Sequence, residues 1–345
     1  MTAASAAQPR VRASAGRLRR PVALAVALVA SYLIIRVGSP TSTQATQQFI
    51  NALTIGALYA LIALGYTMVY GIIELINFAH GEIFMCGSFV SWWLITTMGI
   101  TNAINDPVQL ALVLVLVFVV SMLVMGIVGV MIERFAYRRL RNAPRLAPLI
   151  TAIGVSFILQ NLVFVGISNS IVTIPRLIPN NQIDFGVATI SAVNLFVIVL
   201  AVALMIALHL FVSRTRLGRA MRSTAMDREA AELMGVDINT TIAITFFIGS
   251  ALAGAAGVVQ GLYLGVTAFN IGFQAGLKAF TAAVLGGIGN TTGAAIGGFI
   301  IGFLEVISSV FGQGRWSEAV VFGMLVLVLI FRPTGILGQQ LADRA

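Results

Sequence analysis

Between positions 108 and 132 the chain reads VQLALVLVLVFVVSMLVMGIVGVMI, without one charged side chain. A helix rising 1.5 Å per residue needs about 20 such residues to cross the hydrocarbon of a bilayer. Comparable runs recur near 21–38, 49–73, 81–99, 148–170, 191–212, 241–266, 292–311 and 316–331, with a shorter apolar piece at 277–288. None shows the ten-residue alternation of an outer-membrane barrel. The expected fold class is therefore all-α: a polytopic transmembrane helical bundle of about 8–10 spans. The composition agrees, with 59% hydrophobic and 10% charged residues, where a soluble domain carries roughly 25% charge.

The formal net charge is +9. Its arginines form three clusters beside apolar runs rather than a basic face interleaved with aromatics, so they read as topology signals and nucleic acid is excluded as a partner. Arg10, Arg12, Arg17, Arg19 and Arg20 precede the first run; Arg134, Arg138, Arg139, Arg141 and Arg145 follow the fourth; Arg214, Arg216, Arg219, Arg222 and Arg228 follow the sixth. Because Lys and Arg stay on the cytoplasmic side during insertion, the N-terminus is expected inside, with 39–48, 100–107 and 171–190 outside. The piece at 277–288 is expected to cross as a short or broken helix, leaving Arg332 and Arg344 inside.

The first apolar run ends in Ile34, Ile35 and Arg36 rather than a small-x-small site, so it reads as a retained span and not a cleaved signal. The expected organisation is an arginine-rich cytoplasmic tail over 1–20, one transmembrane domain over 21–338 with a cytoplasmic segment at 213–240, and a tail over 339–345. Cys86, the single cysteine, has no partner for an internal disulfide.

No GxxxxGK[ST] loop is present, and the only lysine, Lys278, lies in an apolar setting. Any ATP consumed must be hydrolysed by another chain, and no cofactor is expected on this one. Ionisable groups in or near spans are Glu74, His80, Glu82, Glu133, His209, Lys278 and Glu305, and each is read as satisfied by a neighbouring helix or snorkelling. No paired carboxylates or metal-spaced histidines converge, so neither catalytic residues nor a metal site is expected.

Two segments combine polar or glycine residues with apolar flanks. INFAHGEIFMCGSFV contains Asn77, His80, Gly81 and Glu82 and reads as a helix break beside a translocation path; Asn77 is expected to cap the following helix, Gly81 to let the chain bend, and His80 and Glu82 to pair or to contact a partner. LGGIGNTTGAAIGG contains Gly286, Gly287, Gly289 and Asn290, and reads as a helix break with close packing beside a translocation path, since no strand precedes it. Hydropathy suggests an inverted repeat: a long span, a polar connection and an interrupted helix occur from Asn51 and again, in the opposite direction, from Thr241.

The hydrophilic stretch TRLGRAMRSTAMDREAAELMGVDINTTIAITFF suits one or two short amphipathic helices over Arg216–Met234, with Asp237 or Asn239 capping the next span. Within it, Glu229, Ala230, Ala231 and Gly235 form the arrangement EAAxxxG. This arrangement looks like the cytoplasmic coupling segment of ABC importer permeases. With NALTIGALYALIALGYTMVYGIIELINFAHGEIFMCGSFV and GLKAFTAAVLGGIGNTTGAAIGGFIIGFLE in the same order and spacing, the chain resembles LivH-type permeases of the high-affinity branched-chain amino acid importers from about Asn51 to Gly338.

The resemblance implies a heterodimer with a LivM-type permease in membrane lipid, two ABC ATPase subunits on the cytoplasmic face, and an extracytoplasmic substrate-binding protein. It implies substrates among branched-chain or other hydrophobic amino acids, amides and urea. It places Arg222, Asp227, Glu229, Ala230, Ala231 and Gly235 at the ATPase contact. The alternative is an ion-coupled carrier or channel for a small polar solute, with Glu74, His80, Glu82 or Glu305 as the coupling group.

Overall fold

In hydrocarbon the backbone has no water to bond to, so each apolar run must satisfy its own amides, and each becomes a helix. The computed structural model describes residues 15–141, 143–144, 146–179, 181–184 and 189–338, with side chains from position 25 onward. Arg10, Arg12, Arg145, Arg344 and the expected tail at 339–345 lie outside the described residues.

The long helices are α1 (Ala15–Gly38), α2 (Ser42–Ile73), α3 (Ala79–Thr97), α4 (Pro107–Ile132), α5 (Leu146–Gly166) and α6 (Ala192–Arg214). Two short helices, α7 (Arg216–Met226) and α8 (Arg228–Leu233), lead into α9 (Ile238–Leu264), α10 (Ile271–Gly286), α11 (Thr291–Val310) and α12 (Ser317–Phe331). α1 starts earlier than the expected span, taking in Arg17, Arg19 and Arg20.

Seven helices among the described residues are long and apolar enough to cross a membrane: α2, α4 with its continuation to Leu140, α5, α6, α9, α11 and α12 with its leading turn. α10 is shorter, and α3 has the length but begins with His80 and Glu82. Both sit inside the bundle, where a helix packed against protein need not be apolar on every side.

The ends are set by side chains. Thr41, Asp106, Thr215, Asp227, Asp237 and Asn290 cap α2, α4, α7, α8, α9 and α11 by accepting from an amide in the first turn, each satisfying an orphan donor of its helix. Asp237 therefore takes the expected capping role. Asn239 instead accepts from Arg141 at 2.7 Å.

The packing order repeats. α2 lies along α11 as α9 lies along α4, and α3 crosses α9 as α10 crosses α2. α2 ends on Glu74 with φ 56°, and α9 ends on Gly265 with φ 68°, both in the left-handed conformation that stops a helix. The same pairing of neighbours thus occurs in α2–α3–α4 and in α9–α10–α11.

Glycines let these helices approach closely: Gly56 and Gly298 sit against α11 and α2, and Gly254 and Gly257 against α4 and α3. The outer faces of α4, α5, α6 and α12 expose Val115, Ile127, Phe157, Leu162, Val199, Ile206 and Ile330, a surface for lipid. The loop at 171–190 takes part in two small antiparallel pairs: Val172–Thr173 with Val266–Thr267, and Gln182–Asp184 with Thr189–Ser191. Ile174, Leu177 and Ile178 of this loop are buried over one end of the bundle.

Candidate functional site

The first break is the irregular stretch 74–78 between α2 and α3. The turn is made at Glu74, the one non-glycine residue with positive φ among those described. Gly81, expected to bend the chain, lies inside the first turn of α3 and serves another purpose. A Cβ there would run into the carbonyl of Gly272 and the Cα of Gly276, so its bare backbone seats α3 against α10. Asn77 does not cap α3 either: the N-cap position is Phe78, with no side-chain cap bond. The Asn77 carboxamide oxygen instead accepts from the Tyr137 hydroxyl at 3.2 Å.

His80 and Glu82 are both fully buried and do not pair, because they face different helices. The His80 ring lies 4.5 Å from the Tyr66 ring and against Gly65 of α2. Glu82 accepts from the Ser156 hydroxyl of α5 at 3.3 Å, and its second oxygen faces Gly272 of α10. This places both groups in the helix-to-helix packing of α3 rather than at a partner surface.

The second break spans 287–290. Gly287 and Gly289 have φ of 104° and 86°, which only glycine adopts without strain. Gly286 packs directly on Gly293, where a side chain would meet backbone. Asn290 caps α11 through Gly293 and donates its Nδ2 to the Leu337 carbonyl at 2.9 Å, tying in the segment after α12. Gly71, in the last turns of α2, abuts Gly289: a Cβ on Gly71 would lie 3.1 Å from its Cα. Both breaks thus meet at the C-terminal end of α2, with Phe78 and Phe280 rings 6.2 Å apart between them.

The segment α7–α8 reaches the same end. Asp227 caps α8 through the Ala230 amide at 3.0 Å, and Ala231 is buried, so both hold the segment's shape. Arg222, Glu229, Ala230 and Gly235 face outward, with Gly235 at φ 82° and open space around it. Leu233 and Met234 are 88% and 85% exposed, an apolar tip on a polar loop. A cleft of about 430 Å³ separates α7–α8 from the end of α2 and is lined by Glu74, Arg141, Pro148, Asp227, Arg228 and Glu229.

Three anchors were not expected from the sequence, two of them because they join distant segments. Arg228 donates to the Ile72 carbonyl at 2.9 Å, joining α8 to the last turn of α2. Glu133, fully buried in a π-helical turn after α4, holds Arg138 at 2.8 Å and also pairs with Arg141. Tyr137 donates toward Ile76 and Asn77. The available signal was a glutamate, Glu133, at the end of an apolar run and next to the arginines of RFAYRR, since a buried carboxylate demands a cation. At Asp237 the Thr240 hydroxyl and amide hold the carboxyl below its ordinary range.

Of the ion-coupling candidates, Lys278 and Glu305 neutralise each other at 2.9 Å, and the Tyr59 hydroxyl donates to the other Glu305 oxygen at 2.8 Å. Among the described residues no group of three His, Cys, Asp or Glu side chains is placed to hold a metal ion.

Known proteins provide the context for this geometry. The family model described as branched-chain amino acid transport system / permease component matches residues 48–329. The chain is 47% identical over 304 residues to the high-affinity branched-chain amino acid transport system permease protein BraD of Pseudomonas aeruginosa, covering 86% of this chain and 97% of the relative. It is 44% identical over 306 residues to the permease protein LivH of Escherichia coli strain K12, with the same coverage. A probable permease protein LivH of Methanocaldococcus jannaschii is 29% identical over 307 residues, covering 84% of this chain and 91% of the relative. No solved structure matches. With the matched region running from the start of α2 into α12, the chain belongs to the permease component family of branched-chain amino acid transport systems.

Proposed function

We propose that this chain is the membrane subunit of an ATP-driven importer for branched-chain or other hydrophobic amino acids, working with a second, LivM-type permease, two ABC ATPase subunits and an extracytoplasmic binding protein. The observation that carries the coupling role is the α7–α8 segment, which presents exposed Leu233 and Met234 while Arg228 fastens it to the end of α2. A partner pulling on α8 would move α2, and with it both helix breaks. The ATPase supplies the energy by contact, and Arg222, Asp227, Glu229, Ala230, Ala231 and Gly235 belong to the surface it engages or to the frame that shapes it.

The end carrying α7–α8 is cytoplasmic in this reading. The arginines after α4 and those after α6 both gather there, as the retention of positive charge inside requires. The N-terminus then lies on the same side, and the protein resides in the cell membrane. Neither nucleotide nor another cofactor binds this chain; ATP is used by the partner subunits.

The test is reconstitution in proteoliposomes with the partner subunits and labelled leucine. ATP-dependent uptake is expected, with loss on Gly235→Trp, which blocks close approach and strains a φ of 82°. Uptake driven by a proton or sodium gradient without the ATPases would replace this reading with the ion-coupled one.

A further inference from the structure

The lipid-facing helices α4, α5, α6 and α12 expose chiefly aliphatic and aromatic side chains, with exceptions toward helix ends such as Asn161 and His209, while one face of the bundle carries a polar ridge. On α2 the i, i+4 and i, i+3 steps Gln44, Gln48, Asn51, Ile55 and Tyr59 form a single ridge, with Asn51 donating to Gln48 at 3.4 Å. On α10 Gln274 lies one turn from Lys278, and on α11 Ser309 lies one turn from Glu305. The three ridges converge where Lys278, Glu305 and Tyr59 bond to one another.

Tyr59 stands near the middle of α2, the longest helix, so the charged pair sits deep in the membrane span. Ionisable groups at that depth are expensive and face protein or a water-filled path rather than lipid. Within the chain the pair is not sealed: the side chains remain 10% and 22% exposed, Gln274 is exposed one turn away on α10, and Gln44 is exposed at the start of the same α2 ridge.

We propose that this seam of α2, α10 and α11 lines the translocation path, and that Lys278 and Glu305 form the station for the zwitterionic backbone of an α-amino acid, Lys278 taking the carboxylate and Glu305 the ammonium. The proposal rests on the importer reading above and adds the substrate-contacting residues to it. With no amino acid present the two side chains neutralise each other, which avoids an unpaired charge in a low-dielectric span. A passing zwitterion carries the same two charges in reverse, so it exchanges one ion pair for two without leaving any group unpaired. Tyr59 holds the Glu305 carboxylate in place, and Ile55 on the same ridge offers apolar surface to the substrate side chain.

The single native cysteine makes the test direct. In a Cys86→Ala background, cysteines at Gln274 and Asn51, and at the lipid-facing Val115, are exposed in the assembled complex to a positively charged methanethiosulfonate reagent. Modification at 274 and 51 at least about tenfold faster than at 115, slowed by leucine during turnover, is the expected result. Rates at 274 and 51 equal to that at 115, or indifferent to leucine, would overturn the path assignment and leave the seam as a contact with the second permease. The neutral pair Lys278→Met with Glu305→Gln removes both charges without stranding either. It is expected to co-purify with its partners and to lose leucine uptake, and uptake at the wild-type rate would remove the zwitterion station. If the wild-type complex itself imports no amino acid, the importer reading fails, and the labelling pattern still decides whether the seam is wet.

Discussion

Arg228 Nη2 donates to the carbonyl oxygen of Ile72 at 2.9 Å, so a helix outside the membrane is bonded to the last turn of a helix within it. That carbonyl is one of the orphan acceptors at the C-terminus of α2, where a cation is favoured by both hydrogen bonding and the helix dipole.

Replacing Arg228 by alanine is expected to reduce leucine uptake per ATP hydrolysed by about tenfold, since the removed charged hydrogen bond is of order 1.5–3 kcal/mol. Lysine should restore part of the ratio. An unchanged ratio in the alanine variant would show that α8 does not transmit through α2.

Glu133 is completely buried between Arg138 and Arg141. Its replacement by glutamine leaves two guanidinium groups without their counter-charge, at a cost of about 3 kcal/mol. The thermal unfolding midpoint of the detergent-solubilised protein is expected to fall by several degrees, and a midpoint equal to wild type would mean that the two arginines find other acceptors.

Gly81 and Gly154 are both helical glycines in opposite surroundings. A methyl group at 81 meets the backbone of Gly272 and Gly276, whereas nothing lies within 4 Å of one at 154. Gly81→Ala is therefore expected to destabilise by about 2 kcal/mol through overpacking, and Gly154→Ala to stabilise by up to about 1 kcal/mol through helix propensity. The two midpoints, measured side by side, should bracket the wild type; the reverse order would refute the α3–α10 contact.

Glu74 holds a left-handed conformation with φ 56°. Glycine there should raise stability by about 1 kcal/mol, because the Cβ clash of that conformation disappears. If uptake falls in the more stable Glu74→Gly variant, the carboxylate lining the cleft beside Arg228 has a role in transport; unchanged uptake assigns it to the turn alone.

The helices were legible in the chain because each apolar run carries its own signal. The end of α2 at 73 was legible too, but not its left-handed stop at Glu74, since glutamate is rare in that conformation. Asn77 shows the same limit. Its type and place before a helix suggest a cap, yet Tyr137 from the turn after α4 claims its oxygen first. The glycines of 286–289 signal an interruption by their type alone, but the meeting of that interruption with the first depends on Gly71 of α2 packing against Gly289.

The sequence by itself determined that this is a membrane bundle, roughly where its helices run, and which family it resembles, because hydrophobic length and backbone bonding are local properties of the chain. Tertiary structure decided which polar groups answer one another. Tyr59 and Glu305 stand 246 residues apart, and Arg228 and Ile72 stand 156 apart. No periodicity spans such distances. Only the packing of α2 against α10, α11 and the α7–α8 segment brings a buried charge to the partner that makes its burial tolerable.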